Sequence, residues 1–190
     1  MAETRITAGQ WRGRQVLTAR GRELRPTTSL VRQALFDILG DRVGGAAMVD
    51  LYAGAGTVGF EALSRGAESA LFVERERANA ALITATAERL GCADRCRVAV
   101  APVLSWLRRE PDELAAAGLC FLDAPYRDDE VATALGLLGA SPPALVVCEH
   151  HRARELPEAV GRLRRVREAT YGATRLSFWQ RDVDGGDGNP

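Results

Sequence analysis

From residue 43 to residue 149 the chain alternates short apolar runs with longer stretches whose apolar residues recur at helical spacing. AAMVDLY (46–52), SALFVE (69–74), RCRVAVA (95–101), GLCFLDAP (118–125) and ALVVCEH (144–150) read as strands. TVGFEALSRG (57–66), RERANAALITATAERLG (75–91), VLSWLRRE (103–110) and DDEVATALGLLG (128–139) read as helices. Gly66 and Gly91 close the first two, and an acidic first turn suits the dipole of the last. Strands alternating with helices predict an α/β fold with a mostly parallel, doubly wound sheet. Ligands gather at the carboxyl ends of such strands.

The two ends follow other patterns. RITAGQWRGRQVLTA (5–19) alternates about a glycine-containing turn and predicts a small β-hairpin. TTSLVRQALFDILG (27–40) predicts a capped helix. LRRVREATYGATRLSFWQR (163–181) predicts two strands joined around Tyr171-Gly172, an antiparallel addition at the C-terminus. The expected organisation is a hairpin extension over 1–26, one core domain over 27–181 and a disordered tail over 182–190.

Composition narrows the classes. The 190 residues are 46% hydrophobic, enough for a substantial core, and no apolar run reaches the roughly 20 residues that span a bilayer. The start lacks the apolar core of a secretory signal, so a cytoplasmic protein without membrane attachment is expected, as a monomer. Cys92, Cys96, Cys120 and Cys148 form no C-x-x-C pair, so no metal is expected. All 25 basic residues are arginine. Residues 1–42 carry eight Arg against four acids and residues 152–181 eight against three, whereas 43–151 carry nine against fifteen. Two basic segments thus flank an acidic centre, a distribution that permits a polyanionic partner.

Gly54-Ala55-Gly56-Thr57-Val58-Gly59 follows the first core strand and opens a helix, which fits a nucleotide-type cofactor loop. Glu74, eighteen residues after Gly56, ends the next strand, where a carboxylate can accept both ribose hydroxyls. NAD and S-adenosylmethionine (SAM) both suit this much. Asp50 and Tyr52, just ahead of the loop, shift the balance: a carboxylate there repels a pyrophosphate and suits a sulfonium or ammonium group. The fourth core strand ends in Asp123-Ala124-Pro125-Tyr126. The Asp123 carboxylate and the Ala124 carbonyl can accept from an exocyclic amine and aim its lone pair, Pro125 fixes the bend, and Tyr126 can stack on an extruded base. Loop and corner together point to SAM-dependent methylation of an amino group.

At RITAGQWRGR, LRPTTSLVRQALFDIL, DLYAGAGTVGFEALSRGA, FLDAPY and YGATRLSFW the chain resembles the RsmD family of 16S rRNA (guanine-N2) methyltransferases, over nearly all of 4–181. The run from Arg25-Pro26-Thr27 through Val31-Arg32 to Leu35-Phe36 is the most distinguishing part. The resemblance implies a Rossmann-like methyltransferase core that methylates the N2 amine of one guanine in 16S rRNA, within the small ribosomal subunit or its assembly intermediate. It implies that Gly54 and Gly56 contact SAM, that Glu74 holds its ribose, that Thr27 and Thr28 lie near its methionine end, and that Asp123 to Tyr126 meet the base. Two positions depart from the family pattern. Pro102 stands where relatives carry an acid for the adenine, which leaves the amide of Val103 for that role, and Ala124 replaces a proline while retaining its carbonyl.

The resemblance also gives the charge split a use. Arg5, Arg12, Arg14, Arg20 and Arg22 on the hairpin, and Arg162, Arg164, Arg165 and Arg167 near the C-terminus, are expected to flank the pocket and meet RNA phosphates. Trp11 is expected to pack rather than stack on a base, and His150 and His151 to be ordinary surface or strand-end residues. Rival readings are an NAD-dependent oxidoreductase, a DNA amino methyltransferase and an inactive RNA-binding assembly factor.

Overall fold

A computed structural model describes residues 4–19, 28–124 and 128–182, with only the backbone of Asp128 and Asp129. Arg20, Arg22, Thr27, Pro125, Tyr126 and the tail from 183 lie outside the described residues. The parallel core comprises β1 (Ala47–Leu51), β2 (Ser69–Glu74), β3 (Cys96–Val100), β4 (Leu119–Leu122) and β5 (Leu145–His151). Their helices are α1 (Ser29–Leu39), α2 (Thr57–Ser64), α3 (Arg77–Leu90), α4 (Val103–Arg109), α5 (Pro111–Ala116) and α6 (Asp128–Ala140). Three antiparallel strands follow: β6 (Ala159–Val160), β7 (Leu163–Tyr171) and β8 (Thr174–Arg181). One sheet in the order β3-β2-β1-β4-β5-β8-β7-β6 contains them all. The fold is the doubly wound α/β sheet expected, with antiparallel strands at its C-terminal side. Two short elements escape the sequence pattern: α5, whose Pro111 suits a first helical turn, and the two-residue β6.

Side-chain alternation divides the core into two layers. Met48, Ala70, Phe72, Leu119, Phe121, Leu145 and Val147 face α1, α2, α3 and residues 6–16. Val49, Leu51, Leu71, Val73, Cys120, Leu122, Val146 and Cys148 face α4, α5 and α6. Burial on both faces explains why these strands read as apolar runs.

The N-terminal segment pairs antiparallel as a hairpin should, but over a short stretch: Arg5 bridges Gln15, and the N–H groups of Ile6, Gly13 and Val16 donate to the carbonyls of Arg14, Ile6 and Thr4, while the backbone between them also bonds to α2. Its hub is Glu61 on α2, fully buried. Glu61 accepts from the Thr7 N–H (2.8 Å), the Thr7 hydroxyl (2.7 Å), the Ala8 N–H (3.0 Å), Arg65 Nε (3.0 Å) and Arg32 Nε (3.3 Å). Arg32, itself buried, also donates to the Arg5 carbonyl at 2.7 Å. The arginine of the distinguishing sequence run thus ties α1, α2 and the N-terminal segment together. Trp11 packs, as expected: it is 9% exposed, its N–H donates to Ser64 Oγ, and the Arg95 guanidinium lies 5.2 Å from its ring centroid.

Burial by itself would raise the pKa of Glu61, but the Thr7 and Arg65 hydrogen bonds and the charge of Arg32 outweigh it and hold the carboxyl below its ordinary range. A depressed carboxylate contributes stability above its unfolded pKa and loses it as pH falls through its folded pKa. Glu61→Ala leaves Arg32 buried without its counter-charge, and is expected to cost about 3–5 kcal/mol. Urea unfolding at neutral pH checks this, and the deficit relative to wild type should shrink in acid.

Candidate functional site

The glycine loop is shaped by one aromatic ring. After β1 the backbone enters the left-handed region at Tyr52 (φ 59°), Gly54 (φ 57°) and Gly56 (φ 74°). A Cβ on Gly56 would lie 2.9 Å from Cε1 of Phe72 on β2, and one on Gly59 would run into the same ring. The first turn of α2 therefore rests directly on Phe72, an approach only glycine allows. Tyr52 lacks that freedom; its hydroxyl donates to Glu130 Oε1 on α6 at 3.0 Å, which anchors the turn to the opposite helical layer.

Two of the loop's glycine N–H groups have carboxylate partners, and that of Gly56 donates to the Ala53 carbonyl. The Gly54 N–H donates to Glu74 Oε2 at 2.8 Å, and the Glu76 N–H donates to Oε1 at 2.7 Å. The Gly59 N–H, in the first turn of α2, donates to Asp50 Oδ2 at 3.0 Å. Gly56 has no side chain with which to cap α2, so Asp50 serves as its cap from the neighbouring strand. Asp50 is 2% exposed. Burial pushes its pKa up to about 7, opposed by the Gly59 hydrogen bond and reinforced by the charge of Glu74.

Register brings further acids into line. Asp50 shares the face of Met48, and Glu74, Asp123 and Glu149 each lie two residues beyond Phe72, Phe121 and Val147 of that same face. Leu122 pairs with Cys148, so Asp123 and Glu149 are neighbours across β4 and β5. The carboxyl edge thus carries Glu74, Asp50, Asp123 and Glu149 on four adjacent strands, all toward α2. Burial raises the pKa of Asp123 well above the ordinary carboxylate value, and the charges of Glu149 and Asp50 add to it. Asp123 and Ala124 form one wall of a cleft that Glu149, His150, His151, Arg154 and Thr174 complete. Sequence reading passed over Glu149; its signal was an acid at the end of an apolar run, in step with Asp123.

Other expected residues take different places. Thr28 is the N-cap of α1, its hydroxyl accepting from the Val31 N–H at 3.3 Å. Val103 is the first residue of α4, where a backbone N–H has no acceptor within the helix, and Pro102 caps that helix. His150 and His151 end β5, as expected; His150 is buried there between Ser177 Oγ (2.8 Å) and the His151 carbonyl (3.0 Å), and burial lowers its pKa.

Three arginines of the expected clusters, Arg12, Arg14 and Arg164, lie away from the cleft, and Arg20 and Arg22 fall outside the described residues. Arg5, Arg12 and Arg14 are exposed, with Arg5 Nη1 on the Gly13 carbonyl. Residues 10 and 11 bond to Ser64 at the end of α2 remote from the glycine loop, and Trp11 meets Arg95 just before β3, so Arg12 and Arg14 sit toward the amino edge of the parallel strands. Arg164 pairs with Gln180, which pairs with Leu145 at the start of β5, and is therefore at that edge too. Arg164 meets Asp182 at 3.7 Å, and Arg165 meets Glu168 at 3.1 Å and Glu158 at 3.4 Å. Helix and strand direction, which a charge count ignores, is the reason. Among the described residues, Arg154 is the arginine that lines the cleft.

A family model described as Conserved hypothetical protein 95 matches residues 4–180. The chain belongs to that family, the RsmD family. Within it, Ribosomal RNA small subunit methyltransferase D of Escherichia coli (strain K12) is 30% identical, covering 96% of this chain and 92% of that protein. A hypothetical protein of Thermus thermphillus shares the fold with a TM-score of 0.78 and 29% identity, over 93% of this chain and 98% of that one. An RNA methyltransferase from Salinibacter ruber, solved in complex with S-adenosyl-L-homocysteine, aligns with a TM-score of 0.65 over 85% of this chain and 97% of that one. At 16% identity it shows the shared Rossmann-like methyltransferase fold alone.

For this RsmD-family loop, Gly59→Ala should force α2 away from Phe72 and cost about 1–3 kcal/mol by overpacking. Thermal unfolding checks it. Partial recovery is expected when Phe72→Leu makes room, and additive losses would show that the ring is not the obstacle.

Proposed function

We propose that this chain is a SAM-dependent methyltransferase that modifies the exocyclic N2 amine of a guanine in 16S rRNA of the small ribosomal subunit. The observation that carries the cofactor assignment is the destination of the loop's N–H groups: Glu74 holds that of Gly54 and Asp50 that of Gly59. A pyrophosphate would find those donors taken and four carboxylates facing it, whereas a cationic amino-acid end gains from the same charges. That leaves the dinucleotide reading without a binding mode.

The residues fit SAM. Each Glu74 oxygen retains acceptor capacity for a ribose hydroxyl. The N–H of Val103 suits the adenine edge, and Thr28 and Tyr52 are assigned to the methionine end on the family motifs. Bound SAM supplies an electrophilic methyl group on a sulfonium cation. Asp123 and the Ala124 carbonyl accept from the target amine and turn its lone pair outward, stabilising the charge that develops on it. The raised pKa of Asp123 suits it to hold the proton the amine gives up. Arg154, across the cleft with His151, is placed for a phosphate next to the target nucleotide. Arg12 and Arg14, at the other edge, can serve only a distant part of a large RNA. The ribosomal substrate is supported by the relative named as a small subunit methyltransferase, and the guanine amine by the family motifs.

Transfer of labelled methyl from SAM to small subunits from cells lacking the endogenous enzyme, followed by mapping of the modified base, tests this. N2-methylguanine at a single site is expected. Asp123→Ala should reduce transfer by roughly a hundredfold or more while SAM still binds. Tight calorimetric binding of NAD with none of SAM would overturn the assignment.

Asp50 adds a pH dependence. A cationic ligand favours its charged form, so SAM affinity should rise with pH through about 7, with protons released on binding. Asp50→Asn should flatten both trends in calorimetry across buffers of different ionisation enthalpy.

A further inference from the structure

Glu149 has no part in positioning the amine, yet register sets it beside Asp123. The two lie on adjacent strands, on one sheet face, and line one cleft. Along the carboxyl edge the order is Glu74, Asp50, Asp123, Glu149. With ribose at β2 and the reacting amine at β4, the rest of the target base extends toward β5. Whatever flanks the amine on that side meets a carboxylate.

The amine-bearing bases differ in that flanking atom. The N6 amine of adenine adjoins N1 and the N4 amine of cytosine adjoins N3, both lone-pair acceptors. The N2 amine of guanine lies between N3, an acceptor, and the N1–H, a donor that neither of the other bases offers beside its amine. A carboxylate next to the amine's own acceptor complements guanine and repels the other two. Resting on the methyltransferase reading above, we infer that Glu149 is the specificity-determining residue of this site, accepting from guanine N1–H while Asp123 accepts from the N2 amine. Extruded bases are read through hydrogen bonds on this edge. A site that accepts from an N–H at this position disfavours analogues with an acceptor there, because two acceptor lone pairs then face each other. The mutual effect of the two charges fits the same contact: Glu149 helps raise Asp123.

2-Aminopurine keeps the 2-amine but has an acceptor at N1 and no oxygen at C6, so the N1 effect is read from how the Glu149 variants change its rate relative to guanine. Small subunits are reconstituted with 16S rRNA carrying guanine or 2-aminopurine at the methylated position, and transfer rates are compared. Wild type should favour guanine by roughly tenfold or more. Glu149→Ala should bring the ratio to near one, chiefly by slowing guanine. Glu149→Gln, whose amide can donate as well as accept, should speed 2-aminopurine relative to wild type. Calorimetric SAM binding by each variant establishes that the fold is intact; should the alanine variant fail to bind, the glutamine variant decides. A guanine preference unchanged in a SAM-binding variant, or an equal slowing of both bases, would overturn the inference and leave Glu149 an electrostatic neighbour of Asp123. No transfer by wild type to the guanine subunit would instead defeat the underlying methyltransferase reading.

Discussion

Helix α2 is held by two carboxylates, and the site depends on that grip. On its outer side Glu61 takes five hydrogen bonds, from Thr7, Ala8, Arg32 and Arg65. On its sheet side Asp50 caps the first turn through the Gly59 N–H. Between them Gly56 and Gly59 let the helix lie on Phe72. An eight-residue helix has little intrinsic stability. Its position comes from these anchors, and with it the orientation of the loop that must meet a cofactor. The two acids are also in opposite electrostatic states: donors hold Glu61 below its ordinary pKa, whereas burial lifts that of Asp50. One is a fixed structural charge, the other a charge that a cationic ligand calls up.

The acidic centre of the chain follows from the same geometry. Four carboxylates on one edge, two of them with raised pKa values, are poorly compatible with one another in the absence of a cation. That mutual repulsion is tolerable because the edge faces a ligand that carries positive charge. The arrangement also sets a condition on RNA: phosphates have to stay off the edge while the base enters it. Extruding one nucleotide would meet that condition in the proposed site, with the base at Asp123 and its phosphate by Arg154. The strongly basic ends of the chain then act at a distance, through net field, rather than at the cleft.

What was legible in the sequence was periodicity and strand ends. Four of the parallel strands, β1, β2, β4 and β5, are buried on both faces, so their apolar runs stand out, and the rule that ligands collect at carboxyl ends located Glu74 and Asp123 without any knowledge of pairing. The two strands about Tyr171-Gly172 were equally clear. Three things needed coordinates. The hairpin prediction saw alternation in 5–19 but not that Glu61, about fifty residues on, competes for its N–H groups. Arg12, Arg14 and Arg164 counted as a basic surface, although helix direction and strand register put them at the edge remote from the cleft. Glu149 was an acid after an apolar run, and only the Leu122–Cys148 register makes it a neighbour of Asp123.

The glycine signature shows the same limit from the other side. G-x-G-x-x-G records that backbone comes close to something; here, for the last two glycines, that something is Phe72 of the protein itself. The charge of the ligand is encoded elsewhere, in which groups the freed N–H donors already satisfy. Where they are left open, a helix N-terminus and a glycine turn form an anion site. Where carboxylates on the neighbouring strands take them, the same backbone becomes a cation site with its donors spent. Asp50 and Glu74 make that conversion, and the sign of the pocket, more than the spacing of its glycines, separates a sulfonium cofactor from a dinucleotide.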